Sequence, residues 1–513
     1  MTLDLRHWAL SDPGRLAVRV GDVNTSYGEL ETQANRMAHV LRAQGIQRGD
    51  HIAALMGNGA SVFAVVWAAY RLGAYITPVP STASAEDAAY IVRDCGARVV
   101  LADAGLGQIL KTLHSIVSGS QVWLSVGGEV GGFLPMDPLL ASAPVTPVAD
   151  ESSGALMMYT SGTTGHPKGV WRALSPTVST CPPFAQDLIA MFDVSEGSRY
   201  LSTAPLYHAA PLRFGLAFLA AGGSVYVMQK FEASKALDLL EREQITHSQW
   251  VPTMFQRLLA LDEKQRERFK APHHRLALHS AAPCPMPVKR AMLDWWGPIL
   301  EEYYSGSEGV GLTAITADEW LHRPGSVGRA RKGQLHILGD GDEELPDGTA
   351  GRVFFSGIAP FAYHGAPEKT AMRTSRQGWQ TFGDIGYVDP DGYLFLTDRL
   401  DDMIISGGVN IYPQELEAAL LEMPSVAEVA VVGAPDSEFG ERPVAFVVLG
   451  KQALEDGLLP DAMGAVDAFA LQRLGRIKRP REIRIVEALP YSPQGKLLRR
   501  ELRRLLAEGA LRG

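Results

Sequence analysis

The sequence predicts an α/β protein with a large N-terminal α/β domain, built from several subdomains as layered sheets plus a small β subdomain, and a smaller C-terminal α+β domain. Three observations carry this prediction. Helix-period and strand-period segments alternate over the first 150 residues, short strands dominate after about residue 330, and a compact mixed unit begins near residue 401. The chain has 513 residues, and a single hydrophobic core stops growing near about 250–300 residues. A division near residue 400 therefore gives domains 1–400 and 401–513.

Residues 27–44 space their apolar side chains for a helix, 51–56 read as a short strand, 62–72 as a helix and 98–102 as a further strand. This rhythm suits helices laid on a largely parallel sheet. Gly127, Gly128, Gly131 and Gly132 mark a surface loop, and the GLG at Gly105 lacks the third glycine of a dinucleotide fingerprint. Residues 155–158 form a short apolar strand. The longest apolar stretch, 214–228, is shorter than the roughly 20 residues a spanning helix needs, and Gly222 and Gly223 interrupt it, so it reads as a buried strand or helix. Strands follow at 334–338, 351–356, 386–388 and 393–396, the last two joined through Asp389-Pro-Asp-Gly392 as a hairpin. The final unit opens with a strand at Met403 and a Gly-rich turn. A helix comes next, with Pro413 at its first position and Glu415 and Glu417 in its first turn. Strands at 426–432 and 444–449, a helix, a strand near Ile483 and a terminal helix at 497–506 complete it.

Bulk numbers exclude several classes. Hydrophobic residues make up 46% and charged residues 20%, an ordinary globular composition. With 48 Lys plus Arg against 57 Asp plus Glu the net charge is -9, which disfavours a nucleic-acid binder. The start carries no basic region followed by an apolar one, so no secretory signal is expected. Cys95, Cys181 and Cys284 are far apart and odd in number, which fits a reducing, cytoplasmic setting rather than a disulfide framework or zinc site. From Arg473 onward twelve Lys or Arg face four Asp or Glu, a local charge of +8 that leaves -17 elsewhere. This is either the wet face of an amphipathic helix or a basic surface that meets a polyanionic small molecule. HExxH, GxSxG and clustered Cys/His patterns are absent.

The most informative segment is YTSGTTGHPKGV at 159–170. A strand runs into a turn of hydroxyls and glycines that ends at Lys168. Glycine lets successive N–H groups turn towards one anion, hydroxyls add donors and the lysine adds charge. It is a phosphate-cradling loop without the Walker spacing, since Pro167 stands where that motif has glycine.

SGTTGHPKG resembles the signature of the acyl-adenylate-forming superfamily, and most closely that of bacterial fatty-acyl and aryl-CoA synthetases. Further motifs in the same order extend the resemblance over nearly the whole chain. It implies that Thr160, Ser161, Gly162, Thr163, Thr164, Gly165 and Lys168 hold ATP phosphates. APLYHAAP at 204–211 resembles the next motif and places His208 beside the acyl pocket. HSAAPCP at 279–285 resembles the loop along the adenine and the acyl group, with Ala281 on the nucleotide. EYYSGSEG at 302–309 implies Tyr304 stacking on adenine, Ser307 in the place of threonine, and Glu308 holding Mg2+. Ser305 stands where the family carries glycine.

By the same resemblance Asp384 and Arg399 hold the ribose, Asp401 is the hinge of a mobile C-terminal domain, and Gly407 and Gly408 leave room for the pantetheine arm of coenzyme A. Lys496, in LPYSPQGKLLRR, is the catalytic lysine, with Tyr491 and Gln494 departing from the usual neighbours. Phe184, His208, Ala209, Trp250, Ala282 and Gly309 are expected to line the acid pocket, where small side chains leave volume for a bulky hydrophobic acid, aromatic, phenylpropanoid or fatty.

The parts fit one reaction. A carboxylic acid of pKa near about 4 is already an anionic nucleophile at pH 7, so what it needs is charge neutralisation around ATP. The reading is an ATP- and Mg2+-dependent acid–CoA ligase. An adenylating enzyme loading a separate carrier protein and a catalytically silent nucleotide-binding protein stand as alternatives. Acid, ATP and coenzyme A are the expected partners, with no nucleic acid and no transmembrane segment. Monomer and homodimer stay open.

Overall fold

The computed structural model describes all residues except 1–3, 118, 120, 161–166, 179–180, 400–401, 407–408, 438, 451–461, 492–496 and 509–513, and the side chains of 399, 410 and 475–477. Near the N-terminus, a six-stranded parallel sheet runs in the order Leu134–Pro135, Val122–Val126, Ala97–Asp103, His51–Leu55, Tyr75–Val79, Ala155–Leu156. Alternate residues of a strand point to opposite faces, and both faces here are apolar. Ile52 and Ala54 join the core under Tyr27–Ala43 and Ala60–Arg71, whereas Ala53 and Leu55 join the one under Ala85–Asp94 and Gln108–Ile116. The long helix Tyr27–Ala43 starts where Ser26 and Glu29 form a reciprocal capping box.

The second sheet has thirteen strands. Its middle is parallel: Ser224–Val227, Arg199–Ser202, His247–Trp250, Leu276–His279 and Leu300–Tyr304. Leu312–Ile315 then pairs antiparallel with Leu300–Tyr304, and Ser326–Lys332, Leu394–Arg399, Asp384–Val388, Gly351–Ser356 and Gln334–Leu338 follow in the same sense. The β-rich stretch after residue 330 is therefore an extension of the large sheet through Ser326–Lys332. The apolar run at 214–228 contains the end of the buried helix Ala209–Ala220, a turn at Gly222 with φ +84, and the strand Ser224–Val227.

The strand expected at 155–158 is split. Ala155–Leu156 closes the first sheet, Met157 is fully buried in the core under Ala85–Asp94 and Gln108–Ile116, and Met158–Thr160 belongs to a three-stranded antiparallel sheet with Lys168–Trp171 and Ala362–Tyr363. In that sheet Lys168 lies opposite Thr160.

From Ile404 a five-stranded sheet forms around the long antiparallel pair Val426–Asp436 and Gly440–Leu449. Val429 and Val431 pack under Pro413–Leu420 and Ala462–Lys478, while Ala430 and Val432 face Leu502 of the terminal helix Arg499–Ala507. Among the described residues no helix is long and apolar enough to cross a membrane.

Candidate functional site

The parallel strands Arg199–Ser202, His247–Trp250, Leu276–His279 and Leu300–Tyr304 all end on one side, and the chain leaves each through a loop: Thr203–Ala204, Val251, Ser280–Cys284 and Ser305–Gly309. In open α/β sheets ligands bind outside the carboxyl ends of strands. Here that edge is the wall of a cleft of about 1870 Å³, which is also lined by Thr160, Lys168, His208, Asp384 and, from the C-terminal part, Tyr491, Arg499 and Arg500.

One end of the cleft is polar and tightly bonded. Tyr304, at the end of its strand, donates its hydroxyl to Asp384 Oδ2 at 2.5 Å, and its ring meets Phe382 edge-on at 5.3 Å. Asp384 is buried at the start of the strand Asp384–Val388. Ser305 Oγ donates to the Gly311 carbonyl at 2.8 Å, so the serine in place of glycine ties the turn. Gly306 has no room for a side chain, since a Cβ there would meet Phe382 at 2.6 Å. Glu308 is buried and accepts from the Tyr363 hydroxyl at 2.9 Å, and Lys168 Nζ stands 5.2 Å from the Tyr363 ring centre. Burial, then the Glu308 carboxylate, raises the Tyr363 hydroxyl, which keeps it a donor. Ala281 holds φ +76, a left-handed conformation that costs a residue with a Cβ about 1–2 kcal/mol. Such strain is retained where surrounding structure demands it, commonly at binding sites.

The other end is apolar. Phe184, Leu188, Met191 and Phe214 line it together with Ala209, Ala282 and Gly309. His208 sits at the N-cap of Ala209–Ala220, edge-on to Tyr207 at 4.2 Å, and burial lowers it to about 3, so its imidazole is neutral at pH 7. Trp250 reaches the lining from inside an aromatic cluster with Phe255 and Trp296, its ring nitrogen bonded to Ser248 Oγ at 2.6 Å. Burial pushes the Cys284 thiol up, so it lines the cleft as a thiol and not a thiolate.

Of the residues expected at the site, Thr160, Lys168, Phe184, His208, Ala209, Trp250, Ala281, Ala282, Tyr304, Ser307, Glu308, Gly309 and Asp384 share this one cleft. The backbone of Arg399 pairs with that of Asp384 across the sheet. Ser161, Gly162, Thr163, Thr164, Gly165, Asp401, Gly407, Gly408 and Lys496 lie outside the described residues, as does the side chain of Arg399.

Among the cleft residues that escape the motif reading are Tyr363, Phe382, Arg172 and Arg213. Of these four, Arg213 leaves a trace in the sequence, as the sole charged residue of the helix AAPLRFGLAFLA.

The chain belongs to the AMP-binding enzyme family, whose description matches residues 5–362, with the AMP-binding enzyme C-terminal domain matching 415–496. It is 31% identical to a long-chain-fatty-acid–CoA ligase of Mycobacterium tuberculosis, covering 94% of this chain and 93% of that one. It is 31% identical to a fatty acid–[acyl-carrier-protein] ligase of Streptomyces coeruleorubidus, covering 96% and 94%. Among solved structures, the o-succinylbenzoate CoA synthetase of Bacillus subtilis with its acyl-adenylate intermediate superposes with a TM-score of 0.82 at 27% identity, covering 98% of both chains. The protein is thus an adenylate-forming acid ligase, of a family that works with ATP, Mg2+ and coenzyme A.

Proposed function

We propose that this enzyme is a cytoplasmic acid–CoA ligase that activates a carboxylic acid with a bulky apolar body, aromatic or fatty. In this reading it forms the acyl-adenylate with release of pyrophosphate and then passes the acyl group to coenzyme A. The observation that carries the reading is a single cleft joining the Lys168 hairpin, the Tyr304–Asp384 pair and Glu308 to an apolar annex around Phe184 and Phe214.

In this reading Tyr304 packs on adenine while Asp384 accepts from a ribose hydroxyl. Lys168, with the loop 161–166, takes the leaving pyrophosphate, and Lys496 meets the charge that develops between the carboxylate and the α-phosphorus. Glu308 fits Mg2+, which is usually held by one or two carboxylates with substrate phosphates and water. It is a buried carboxylate anchored by Tyr363 through one oxygen, and no group of three His, Cys, Asp or Glu converges elsewhere among the described residues. When bound, the ion neutralises phosphate charge. The neutral His208 packs against the acid without adding a charge. Residues 1–400 and 401–513 act as two domains, and rotation about Asp401 exchanges Lys496 for the Gly407–Gly408 segment, whose lack of side chains admits the pantetheine arm.

The test is AMP and pyrophosphate release from MgATP across aromatic, cinnamic, fatty and steroid acids, with and without coenzyme A. Turnover that needs both acid and coenzyme A supports the ligase. Adenylate formation with no thioester moves the acceptor to a carrier protein, the reading favoured by the similarity to a carrier-protein ligase. ATP binding with no turnover on any acid of this panel overturns the substrate class proposed here.

A further inference from the structure

The apolar annex contains a charge that an all-hydrophobic acid does not explain. Arg213 rises from the middle of the buried helix Ala209–Ala220, between Leu212 and Phe214, both in the core. Its guanidinium stands 5.6 Å from the ring centre of Phe184, and its Nη2 donates to the Ser307 carbonyl at 3.1 Å. Its Nε is buried with no hydrogen-bond partner. Among the described residues the Ser307 carbonyl is the one acceptor recorded for its five N–H groups, and Arg213 lines the cleft.

A second guanidinium stands beside it. A Cβ built on Gly309 would lie 3.5 Å from Arg172 Nη2 and 4.0 Å from Arg213 Nη1. Arg172 is engaged: it donates to the carbonyls of Glu308 at 2.6 Å and Gly309 at 3.1 Å, and to that of Ala359. Neither arginine has a salt bridge among the described residues. The nearby Asp187 is taken by Lys332 at 2.5 Å, and Glu308 acts on Arg213 only through space, its own Oε1 held by Tyr363. Burial, then the charge of Arg213, lowers Arg172 to about 10, and burial lowers Arg213 as well. Two adjacent, partly desolvated cations with no salt-bridge partner among the described residues are costly to a fold, and a guanidinium fork is best matched by a carboxylate.

We propose that the acid this enzyme activates carries a second carboxylate, which Arg213 receives at the wall of the acid pocket between Phe184 and Gly309. The inference rests on the acid-activating reading above and names its substrate class: an acid with an apolar body and two anionic ends. One end reacts with ATP. The other closes the charge balance of the arginine pair. Arg172 shapes the Glu308–Gly309 turn and adds to the local positive field.

The experiment compares chain-matched straight-chain mono- and dicarboxylic acids, and aryl acids with and without a second carboxylate, in the full-length enzyme. Acid-dependent ATP–pyrophosphate exchange gives kcat/KM, and calorimetry without ATP gives acid affinity. The expected wild-type preference is for the diacid of matching length. In Arg213→Met the diacid-to-monoacid ratio of kcat/KM falls about 10- to 100-fold, the span of one charged hydrogen-bonding contact, with the loss in KM. Arg213→Lys recovers part of the ratio and guards against a folding defect in the methionine variant. Equal loss for both acids, or diacids bound no tighter than monoacids by the wild type, overturns the proposal. If no acid supports exchange, the adenylation reading fails, and the calorimetric preference still decides the role of Arg213.

Discussion

The two ends of the cleft are built on different principles. At the polar end, which we assign to the nucleotide, the side chains hold one another: Tyr304 is bonded to Asp384, Tyr363 to Glu308, and Ser305 to the backbone of its own turn. At the other end, where we place the acid, the walls are apolar and the Nε of Arg213 has no hydrogen-bond partner among the described residues. Groups fixed in advance lose little freedom when the ligand arrives, which favours a constant partner. Unspent donors set a condition on which ligand is accepted, because a ligand without the matching group leaves them desolvated and unpaired.

Replacing Lys496 tests the nucleotide end most severely. Lys496→Ala is expected to slow single-turnover adenylate formation by about 10³-fold or more, with ATP affinity changed by only a few-fold. An unchanged rate would remove that lysine from the chemistry. Glu308→Gln keeps the shape and the Tyr363 contact but loses the charge. It should cost about 10²–10³ in kcat and raise the Mg2+ concentration needed for half-maximal rate, which a magnesium titration reads directly. Asp384→Asn is expected to raise the KM for ATP about tenfold while leaving the acid KM in place; an effect on the acid instead would break the division of the cleft into two ends.

A smaller effect comes from histidines away from the chemistry. Burial lowers His247 to about 4 and His274 to about 3, below the ordinary value near 6.5. The unfolded chain therefore binds protons at these sites between pH 6.5 and about 4 when the folded chain does not. The stability they contribute is whole above pH 6.5 and is lost as pH falls, by up to about 1.4 kcal/mol per pH unit for each site. Thermal melts at pH 7.5, 6.5 and 5.5 should show a flat region and then a decline, and His274→Gln should shallow the decline. No inflection near pH 6.5 in kcat/KM is expected from His208, which stays neutral down to about 3.

The end we assign to the nucleotide was the more legible in the sequence because its residues come in contiguous motifs: 159–170, 302–309 and the run through Asp384. Each motif writes its own local geometry. The acid end is assembled by tertiary contact. Arg172 leaves the strand Lys168–Trp171 and Arg213 belongs to a later helix, and nothing in either segment announces that they flank the same glycine. Tyr363 reaches Glu308 from a strand whose two residues pair with Trp171 and Val170. The same limit hid the division at Met157, where one apolar run serves two sheets whose partner strands lie far away in the chain or follow it.

The neck of the hairpin before Lys168 has an entropic consequence. Thr160 and Lys168 face each other across an antiparallel ladder, which holds paired residues about 4.5–5.5 Å apart at Cα. Bringing the two ends of a flexible segment together carries a closure cost that grows with the logarithm of its length. Here the ladder meets that cost during folding, before any phosphate arrives. The backbone at Thr160 and Lys168 is thus set by the fold itself, and no part of a ligand's binding energy is spent on bringing these two positions together.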